Sequence, residues 1–225
     1  MENIMIFKGV IFDLDGTLVN SLEDLADSMN IVLQNNNYPI HELQTYRYFI
    51  GNGIRNLVCK SLPETNKEET LIDKYYDSMI EVYRNNCVNK TKLYDGITEL
   101  LDELVSRKIK LAVFSNKADE FTKKIVLTLL PDWNFEAIIG LSTEAHKKPN
   151  PLGALQIAEE LGICPEEMIY VGDTGIDMQT TNNSGMYAVG ASWGFRAKEE
   201  LISKGAMYLL KHPLDLIEFL KNQSV

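Results

Sequence analysis

Short apolar runs of strand length, each followed by small or polar residues, recur along the chain and limit its fold more than any other feature. Segments with helical spacing separate these runs, so that strand and helix alternate. Nearly all-apolar strands in such an alternation predict an α/β protein, a doubly wound parallel sheet with a Rossmann-like core. The predicted strands are residues 10–12, 111–114, 137–140, 169–171 and 187–189, and the predicted helices are residues 95–107, 119–130, 151–161 and 213–220.

Residues 19–91 interrupt the alternation, because they show helical spacing without a convincing strand. Ser21 and Asp24 have the spacing of a capping box, which predicts a helix from there to about Leu33. Further helices are predicted after Gly51-Asn-Gly53, as far as residue 62, and over residues 68–85. We therefore predict a small helical domain at 19–91, inserted into an α/β core formed by 1–18 and 92–225.

Composition argues against several classes of function. The 225 residues carry a formal net charge of −10, and nucleic-acid binding depends largely on lysine and arginine, so no nucleic-acid partner is expected. No run approaches the ~20 apolar residues of a membrane helix, and no secretory signal is evident, so a cytoplasmic protein without a membrane partner is expected. The three cysteines form no CxxC pair and are expected to be reduced, packed thiols. The sequence shows no evident signal for self-association, so a monomer is the expected oligomeric state.

Three predicted strands end in residues that carry chemistry. Asp13 and Asp15 follow the first strand, Ser115 and Asn116 follow the run at 111–114, and Asp173 follows the run at 169–171. Ligands of open parallel sheets bind at the carboxyl ends of the strands, so these side chains are expected to meet in one crevice. Side chains two apart in an extended chain share a face, which would let Asp13 and Asp15 both point into it.

Several carboxylates gathered in one crevice repel one another unless a cation neutralises them. Aspartate oxygens favour a hard ion such as Mg²⁺, which also binds substrate phosphate. The histidines are poor competitors as metal ligands, because His41, His146 and His212 are far apart and lack the i, i+4 spacing of a zinc site. The sequence therefore predicts a magnesium site at this edge of the sheet.

Four short motifs occur in order at predicted strand ends or loops. They are Asp13-Leu-Asp15-Gly-Thr17, Ser115-Asn116-Lys117, Lys148-Pro-Asn-Pro151 and Gly172-Asp173-Thr-Gly-Ile-Asp177. In this combination the chain resembles the haloacid dehalogenase superfamily of phosphohydrolases, and within it the phosphoglycolate phosphatase branch. The resemblance covers nearly the full length, and the helical insertion after the first motif matches the family's cap domain.

The resemblance implies a role for each matching residue. Asp13 would attack phosphorus and form an aspartyl-phosphate, and Asp15 would act first as general acid and then as general base. Lys148 would supply a fixed positive charge beside the nucleophile and the phosphate. The remaining assignments are Thr17, Ser115 and Asn116 to substrate binding, and Asp13, the Asp15 backbone carbonyl, Asp173 and, through water, Asp177 to Mg²⁺.

Other interpretations of the same residues stay open. Each motif contains residue types that also serve local structure, and the lysine doublet leaves two candidates for one position. The alternatives are a turn at Asp15-Gly16, Lys147 in place of Lys148, the first turn of a helix for Asp177, a helix cap for Ser115 and Asn116, and the ordering of a loop for Thr17.

The acid at position 15 narrows the reaction, because dehalogenation and phosphonate cleavage in this superfamily do not use an acid there. An oxygen leaving group is indicated. The segment 48–55 resembles the cap of phosphoglycolate phosphatases, in which Gly53 and Arg55 would bind an anion, the alternative being a helix start with a surface arginine. Trp193-Gly-Phe-Arg196 also resembles that branch without indicating a role.

The expected function is Mg²⁺-dependent hydrolysis of a small phosphorylated metabolite, with 2-phosphoglycolate first among the substrates. The alternatives are a phosphoryl transferase or sugar-phosphate mutase, a pyrophosphatase or nucleotidase of the same superfamily, and a non-catalytic sensor of a phosphate ligand. The helical insertion is expected to close over the substrate and to reopen.

Overall fold

A computed structural model describes residues 7–223. Within that range the chain forms eight strands and ten α-helices, together with three short 3₁₀ turns at Glu64–Asn66, Glu144–His146 and Pro165–Glu167. The strands are β1 (Gly9–Phe12), β2 (Val19–Asn20), β3 (Lys92–Leu93), β4 (Lys110–Ala118), β5 (Phe135–Leu141), β6 (Met168–Gly172), β7 (Tyr187–Ala191) and β8 (Tyr208–Leu210). The helices are α1 (Leu22–Asn35), α2 (Leu43–Tyr46), α3 (Ile54–Ser61), α4 (Glu69–Asn86), α5 (Ile97–Ser106), α6 (Asp119–Leu129), α7 (Leu152–Leu161), α8 (Gly175–Ser184), α9 (Lys198–Ser203) and α10 (Asp215–Gln223).

The main sheet is parallel throughout and has the strand order β5-β4-β1-β6-β7-β8. All five predicted strands lie in it, and the predicted α/β class is confirmed. The sequence reading omitted β8, which is only three residues long. Because β1 pairs with β4 on one side and with β6 on the other, the carboxyl ends of these three strands lie side by side.

Helices cover both faces of this sheet. Val10 and Phe12 of β1 belong to a large apolar cluster that includes side chains of α5, α6 and α10. Ile11, between them, belongs to a second cluster that includes the apolar face of α7. Alternate residues of a strand point to opposite faces, so a fully apolar strand such as β1 is the sequence signature of a sheet buried between two helical layers.

The insertion after β1 leaves and re-joins the α/β core through paired linkers. β2 and β3 form an antiparallel ribbon in which Val19 lies opposite Leu93 and Asn20 opposite Lys92. Between these linkers α1 packs against α2 and α4, and α3 packs against α4. The division into a core and a cap domain stays a prediction.

The capping box predicted at Ser21 and Asp24 is wrong. The Ser21 hydroxyl donates to an Asp15 carboxylate oxygen at 2.5 Å instead of capping α1. The buried Asp24 carboxylate accepts hydrogen bonds from the N–H groups of Lys90 (3.0 Å) and Thr91 (2.8 Å) and from the Thr91 hydroxyl (2.7 Å). Asp24 therefore fastens the start of α1 to the linker that returns from the insertion.

The structure also bears on the predictions made for the cysteines and for membrane helices. All three cysteines are free, but the expectation of packed thiols is wrong for Cys164, which is exposed, whereas Cys87 is buried and Cys59 half-buried. Among the helices of residues 7–223, none combines the length and the apolar character needed to cross a membrane.

We expect Asp24→Asn to lower the free energy of unfolding by about 2 kcal/mol, because the variant loses a charged acceptor and turns an amide N–H₂ toward buried donors. Urea denaturation of the purified protein measures the change. Asp27→Asn is the matched control, since Asp27 lies on the same helix, is exposed and pairs with Lys90 at the surface. Equal stability of Asp24→Asn and wild type would contradict the assigned role.

Candidate active site

The site is built where β1, β4 and β6 end. Asp13 and Asp15 follow β1, Ser115 and Asn116 lie near the carboxyl end of β4, and Asp173 follows β6. In the structure these residues lie close together at the carboxyl ends of the three strands, as the sequence predicted. Gly16 permits the close approach, because its φ of +88° suits glycine and a Cβ there would overlap the Asp173 carboxylate.

Three buried carboxylates form the centre of the site. Oxygens of Asp13, Asp173 and Asp177 all lie within 4.8 Å of one another. Burial, opposed by Lys148 but reinforced by the charge of Asp177, raises the pKa of Asp13 to about 7. Burial and the charges of Asp177 and Asp13 also raise the pKa of Asp173 well above its usual value. This excess of buried negative charge, offered by hard oxygen donors, fits a divalent cation such as Mg²⁺.

Lys148 is the cation of the cluster. Its ammonium, on a side chain only 1% exposed, lies 3.0 Å from Asp13 and 2.6 Å from Asp177. It also donates to the Tyr170 hydroxyl at 3.1 Å and to the Phe114 carbonyl at 3.3 Å. Burial lowers the pKa of this ammonium, but the two carboxylates outweigh burial and the pKa lies well above its usual value. The lysine is therefore held charged beside Asp13.

The two lysines of the doublet lie in different surroundings. Lys148 is buried at the centre, whereas Lys147 pairs with the exposed Glu144 at 3.4 Å. Asn116 fixes Lys148 through its backbone, because the Asn116 amide accepts from the Lys148 N–H at 2.8 Å and donates to the Lys148 carbonyl at 3.2 Å. These two bonds link Asn116 to the backbone of Lys148, and its role in substrate binding stays a prediction.

Asp177 serves local structure as well as the cluster. Thr174 and Asp177 form a capping box at the start of α8, in which one carboxylate oxygen accepts from the Thr174 N–H (3.0 Å) and hydroxyl (2.6 Å). The other oxygen accepts from Lys148. The first-turn interpretation of Asp177 and its place in the acidic cluster are therefore both correct descriptions of its contacts.

Asp173 is oriented by two groups from different loops. Its carboxylate accepts from the Phe195 N–H at 2.7 Å and from the Thr17 hydroxyl at 3.3 Å. Thr17 is completely buried, and in this conformation its hydroxyl orders the loop around Asp173. The segment around Phe195, which had no role in the sequence reading, thus reaches the acidic cluster through its backbone.

Asp15 has its own cation. The Lys117 ammonium lies 2.9 Å and 3.1 Å from the two Asp15 oxygens, and the Ser21 hydroxyl donates to one of them. Lys117 stands in the second motif but was given no role there. A spacing signal was present, because Ser115 and Lys117 are two apart in an extended strand, as Asp13 and Asp15 are, and so share a face.

A small cavity of about 30 Å³ opens on these residues. That volume holds only about two waters, so the site is nearly closed in this conformation. The core contributes Asp13, Asp15, Ser115, Asn116 and Lys117, and the insertion contributes Leu25, Ile50, Gly51, Gly53, Ile54 and Leu57.

A larger cleft of about 510 Å³ shares three lining residues, Gly53, Ile54 and Asn116, with the small cavity. Arg55 lines this cleft, yet its side chain is 47% exposed and its guanidinium bonds to Glu69 and, at 2.9 Å, to Asp73. The structure brings Gly53 to the small cavity and does not bring the Arg55 guanidinium there. The substrate roles of Gly53 and Arg55 stay predictions.

Two arginines join the insertion to the loop around Phe195 in both directions. Arg47, from the insertion, donates to the Gly194 carbonyl at 2.6 Å. Arg196, from the core, donates to the Arg47 carbonyl and, at 2.7 Å, to the Ile50 carbonyl. The loop that orients Asp173 is therefore the one that holds the insertion against the core.

Comparison with known proteins identifies the family of this chain. Residues 10–191 match the family model described as haloacid dehalogenase-like hydrolase. A curated relative from Aquifex aeolicus, named phosphoglycolate phosphatase, is 34% identical over 96% of this chain and 98% of its own length.

Solved structures share the fold of this chain over nearly its whole length. One from Lactobacillus delbrueckii subsp. bulgaricus has a TM-score of 0.88 at 27% identity and covers 96% of this chain and 99% of the other. Another, of a predicted phosphoglycolate phosphatase from Haemophilus somnus, has a TM-score of 0.86 at 27% identity and covers 95% and 97%. The chain belongs to the haloacid dehalogenase-like hydrolase family.

Proposed function

We propose that this hydrolase is a phosphatase that cleaves a small phosphate monoester through an aspartyl-phosphate on Asp13. The observation that carries the proposal is the placement of Asp13, which is buried, 3.0 Å from a charged lysine, and lines a cavity together with Asp15. A carboxylate beside a fixed cation and a second carboxyl group is the arrangement that a two-step phosphoryl transfer requires.

In the first step an Asp13 oxygen attacks phosphorus, and the bond between phosphorus and the ester oxygen breaks. Asp15, protonated, gives its proton to the leaving oxygen, so that an alcohol departs and Asp13 carries the phosphoryl group. Lys148 stabilises the negative charge shared by Asp13 and the phosphoryl oxygens. Ser115, buried beside Asp13 in the lining of the cavity, is a hydrogen-bond donor for those oxygens.

In the second step water attacks the phosphorus of the aspartyl-phosphate. Asp15, now a carboxylate, accepts a proton from that water, inorganic phosphate departs, and the Asp13 carboxylate is restored. Asp15 regains the proton that it gave up, so the cycle is balanced. The net reaction consumes one water for each ester cleaved.

The residues that would hold Mg²⁺ are Asp13, the Asp15 backbone carbonyl and Asp173, with Asp177 reaching it through water. When bound, the ion would neutralise charge on the phosphoryl oxygens and on the crowded carboxylates. Phe195 and Thr17 keep Asp173 aimed into the site, and Lys148 occupies one Asp177 oxygen. These contacts support direct ligation by Asp173 more than by Asp177.

We propose 2-phosphoglycolate as the first substrate to test. The name of the Aquifex aeolicus relative supports this choice, and the small volume of the cavity supports a small leaving group. Opening and closing of the insertion, proposed here as a cap domain at 19–91, would admit the substrate and then exclude bulk water. Cytoplasmic location and a monomeric state stay predictions of the sequence.

A phosphoryl transferase would share the aspartyl-phosphate but deliver the group to a bound hydroxyl, and a phosphate-ligand sensor would bind without turnover. If the protein is a hydrolase, 2-phosphoglycolate should give equal amounts of glycolate and inorganic phosphate. Transfer without phosphate release favours the transferase, and tight binding without turnover favours the sensor. Comparing kcat/KM across phosphate esters, nucleotides, sugar phosphates and pyrophosphate ranks the substrates.

Asp13→Asn should lower phosphate release from 2-phosphoglycolate by about a thousandfold or more, because the amide is not a nucleophile. A phosphate-release assay measures the loss, and circular dichroism checks that the fold is kept. Asp27→Asn, a change of the same kind on an exposed residue, should retain wild-type activity. A fully active Asp13→Asn enzyme would exclude Asp13 as the nucleophile.

Mg²⁺ should raise the Tm of the wild-type protein relative to EDTA, because the ion binds only the folded cluster. At a Mg²⁺ concentration 100 times Kd, the free energy of unfolding should increase by about 2.7 kcal/mol. Asp173→Asn keeps an acceptor for the Phe195 N–H but removes a charge, and should lose most of this shift. Thermal denaturation measures it without reference to activity. An identical Mg²⁺ shift in wild type and Asp173→Asn would remove Asp173 from the metal site.

Arg196→Gln should favour an open insertion, because it removes the guanidinium that bonds to two carbonyls of the insertion. We expect a larger radius of gyration in small-angle scattering and a higher KM. Arg107→Gln is the control, since Arg107 directly follows α5 and pairs with Glu103 of that helix. Unchanged scattering and KM in Arg196→Gln would show that these contacts do not hold the insertion closed.

A further inference from the structure

Lys117 is the buried charged group of the site that the proposed steps leave unused. Its side chain is 2% exposed, and its ammonium lies 2.9 Å and 3.1 Å from the Asp15 oxygens and 2.7 Å from the Tyr83 hydroxyl. The ammonium is thus engaged inside the protein by one carboxylate and one hydroxyl, and these contacts hold it against Asp15.

The contacts on Asp15 are those of a carboxylate. One oxygen accepts from Ser21 and Lys117, and the other accepts from Lys117. Such a group, held at both oxygens, cannot rotate freely about its Cβ–Cγ bond. The contacts therefore fix the direction of the Asp15 carboxyl group, which matters in the second step, when Asp15 accepts a proton from water.

Tyr83 braces Lys117 from the insertion. Its hydroxyl accepts from the ammonium, its ring centroid lies 4.7 Å from the same nitrogen, and the ring packs edge-on against Phe121 of α6 at 5.1 Å. Tyr83 is completely buried on α4, whereas Lys117 belongs to β4 and Asp15 follows β1. Three segments far apart in the sequence thus converge on one carboxylate.

We propose that Lys117 is a positioning residue that aims the Asp15 carboxylate at the water that hydrolyses the aspartyl-phosphate, and that Tyr83 fixes Lys117 in place. The inference rests on the proposed function and extends it. A small displacement of a general base has a large effect on rate, because proton transfer requires hydrogen-bond geometry. Loss of Lys117 should therefore slow the second step more than the first.

The experiment uses p-nitrophenyl phosphate, whose leaving group needs no proton. Lys117→Met, of similar length and without charge, should release p-nitrophenolate in a burst that approaches one equivalent per site. Steady-state turnover should then fall by about 100-fold or more, the usual contribution of a general base. Acid-quenched samples analysed by mass spectrometry should contain more phosphorylated chain than wild type at the same time point.

Tyr83→Phe provides a milder variant, because it removes only the hydroxyl and keeps the ring packing. It should show a smaller accumulation of phosphorylated chain in the same direction. Tyr75→Phe, which changes another buried tyrosine of α4, is the matched control and should behave as wild type. If Lys117→Met does not fold, as judged by its thermal transition, the comparison of Tyr83→Phe with Tyr75→Phe decides the question.

Other outcomes overturn the inference. A higher KM for 2-phosphoglycolate with unchanged kcat would place Lys117 on the substrate carboxylate. Equal losses in burst rate and turnover, without phosphorylated chain, would give it a merely structural role. If wild type turns over both esters and the variants do the same, only this inference fails. If wild type releases no leaving group and forms no phosphorylated chain, the proposed function fails and this inference with it.

Discussion

The contact of the buried Lys148 ammonium with Asp13 and Asp177 is the interaction on which the rest of the site depends. Bringing a lysine into the interior costs several kcal/mol unless its charge and its donors are all satisfied. Here two carboxylates, a tyrosine hydroxyl and a carbonyl satisfy them. Even so, three clustered carboxylates exceed the charge of one ammonium. Without a cation the cluster therefore keeps an excess of negative charge, which favours the divalent cation proposed for the site.

The parallel sheet makes this crowding possible. Because β1 lies between β4 and β6, the carboxyl ends of these strands and the residues just beyond them bring Asp13, Asn116 and Asp173 together although they are far apart in the chain. Each segment is then fixed by contacts that reach the next, as when Asn116 bonds to the backbone of Lys148 and Thr17 to Asp173. Rigid strands set the positions, and these cross-links between loops set the orientations.

Sequence reasoning located what depends on local pattern. The five apolar runs identified the central strands, and the acids at their ends identified the crevice, because strand length, alternation and burial are properties of neighbouring residues. It failed where a partner is distant. Asp24 has the spacing of a local cap but bonds to Thr91. The pairing of Arg55 in α3 with Asp73 in α4 was likewise invisible in the sequence, and the substrate role of Arg55 stays a prediction. Lys117 lay within a quoted motif, yet only the folded chain reveals that Asp15 and Tyr83 flank it.

The division of labour between the two parts of the small cavity follows from its lining. The core supplies the charged and hydrogen-bonding groups, among them Asp13 and Lys117, whereas the insertion supplies leucine, isoleucine and glycine. An apolar and glycine-lined wall discriminates between leaving groups mainly by size. It also excludes water from the charged groups beneath it, and their electrostatic interactions are stronger because the local dielectric constant is lower. The insertion's polar link to the chemistry runs through Tyr83 and Lys117 to Asp15, and through Arg47 and Arg196 to the loop that carries Phe195. Contacts that hold the insertion against the core therefore also involve the groups that orient Asp15 and Asp173.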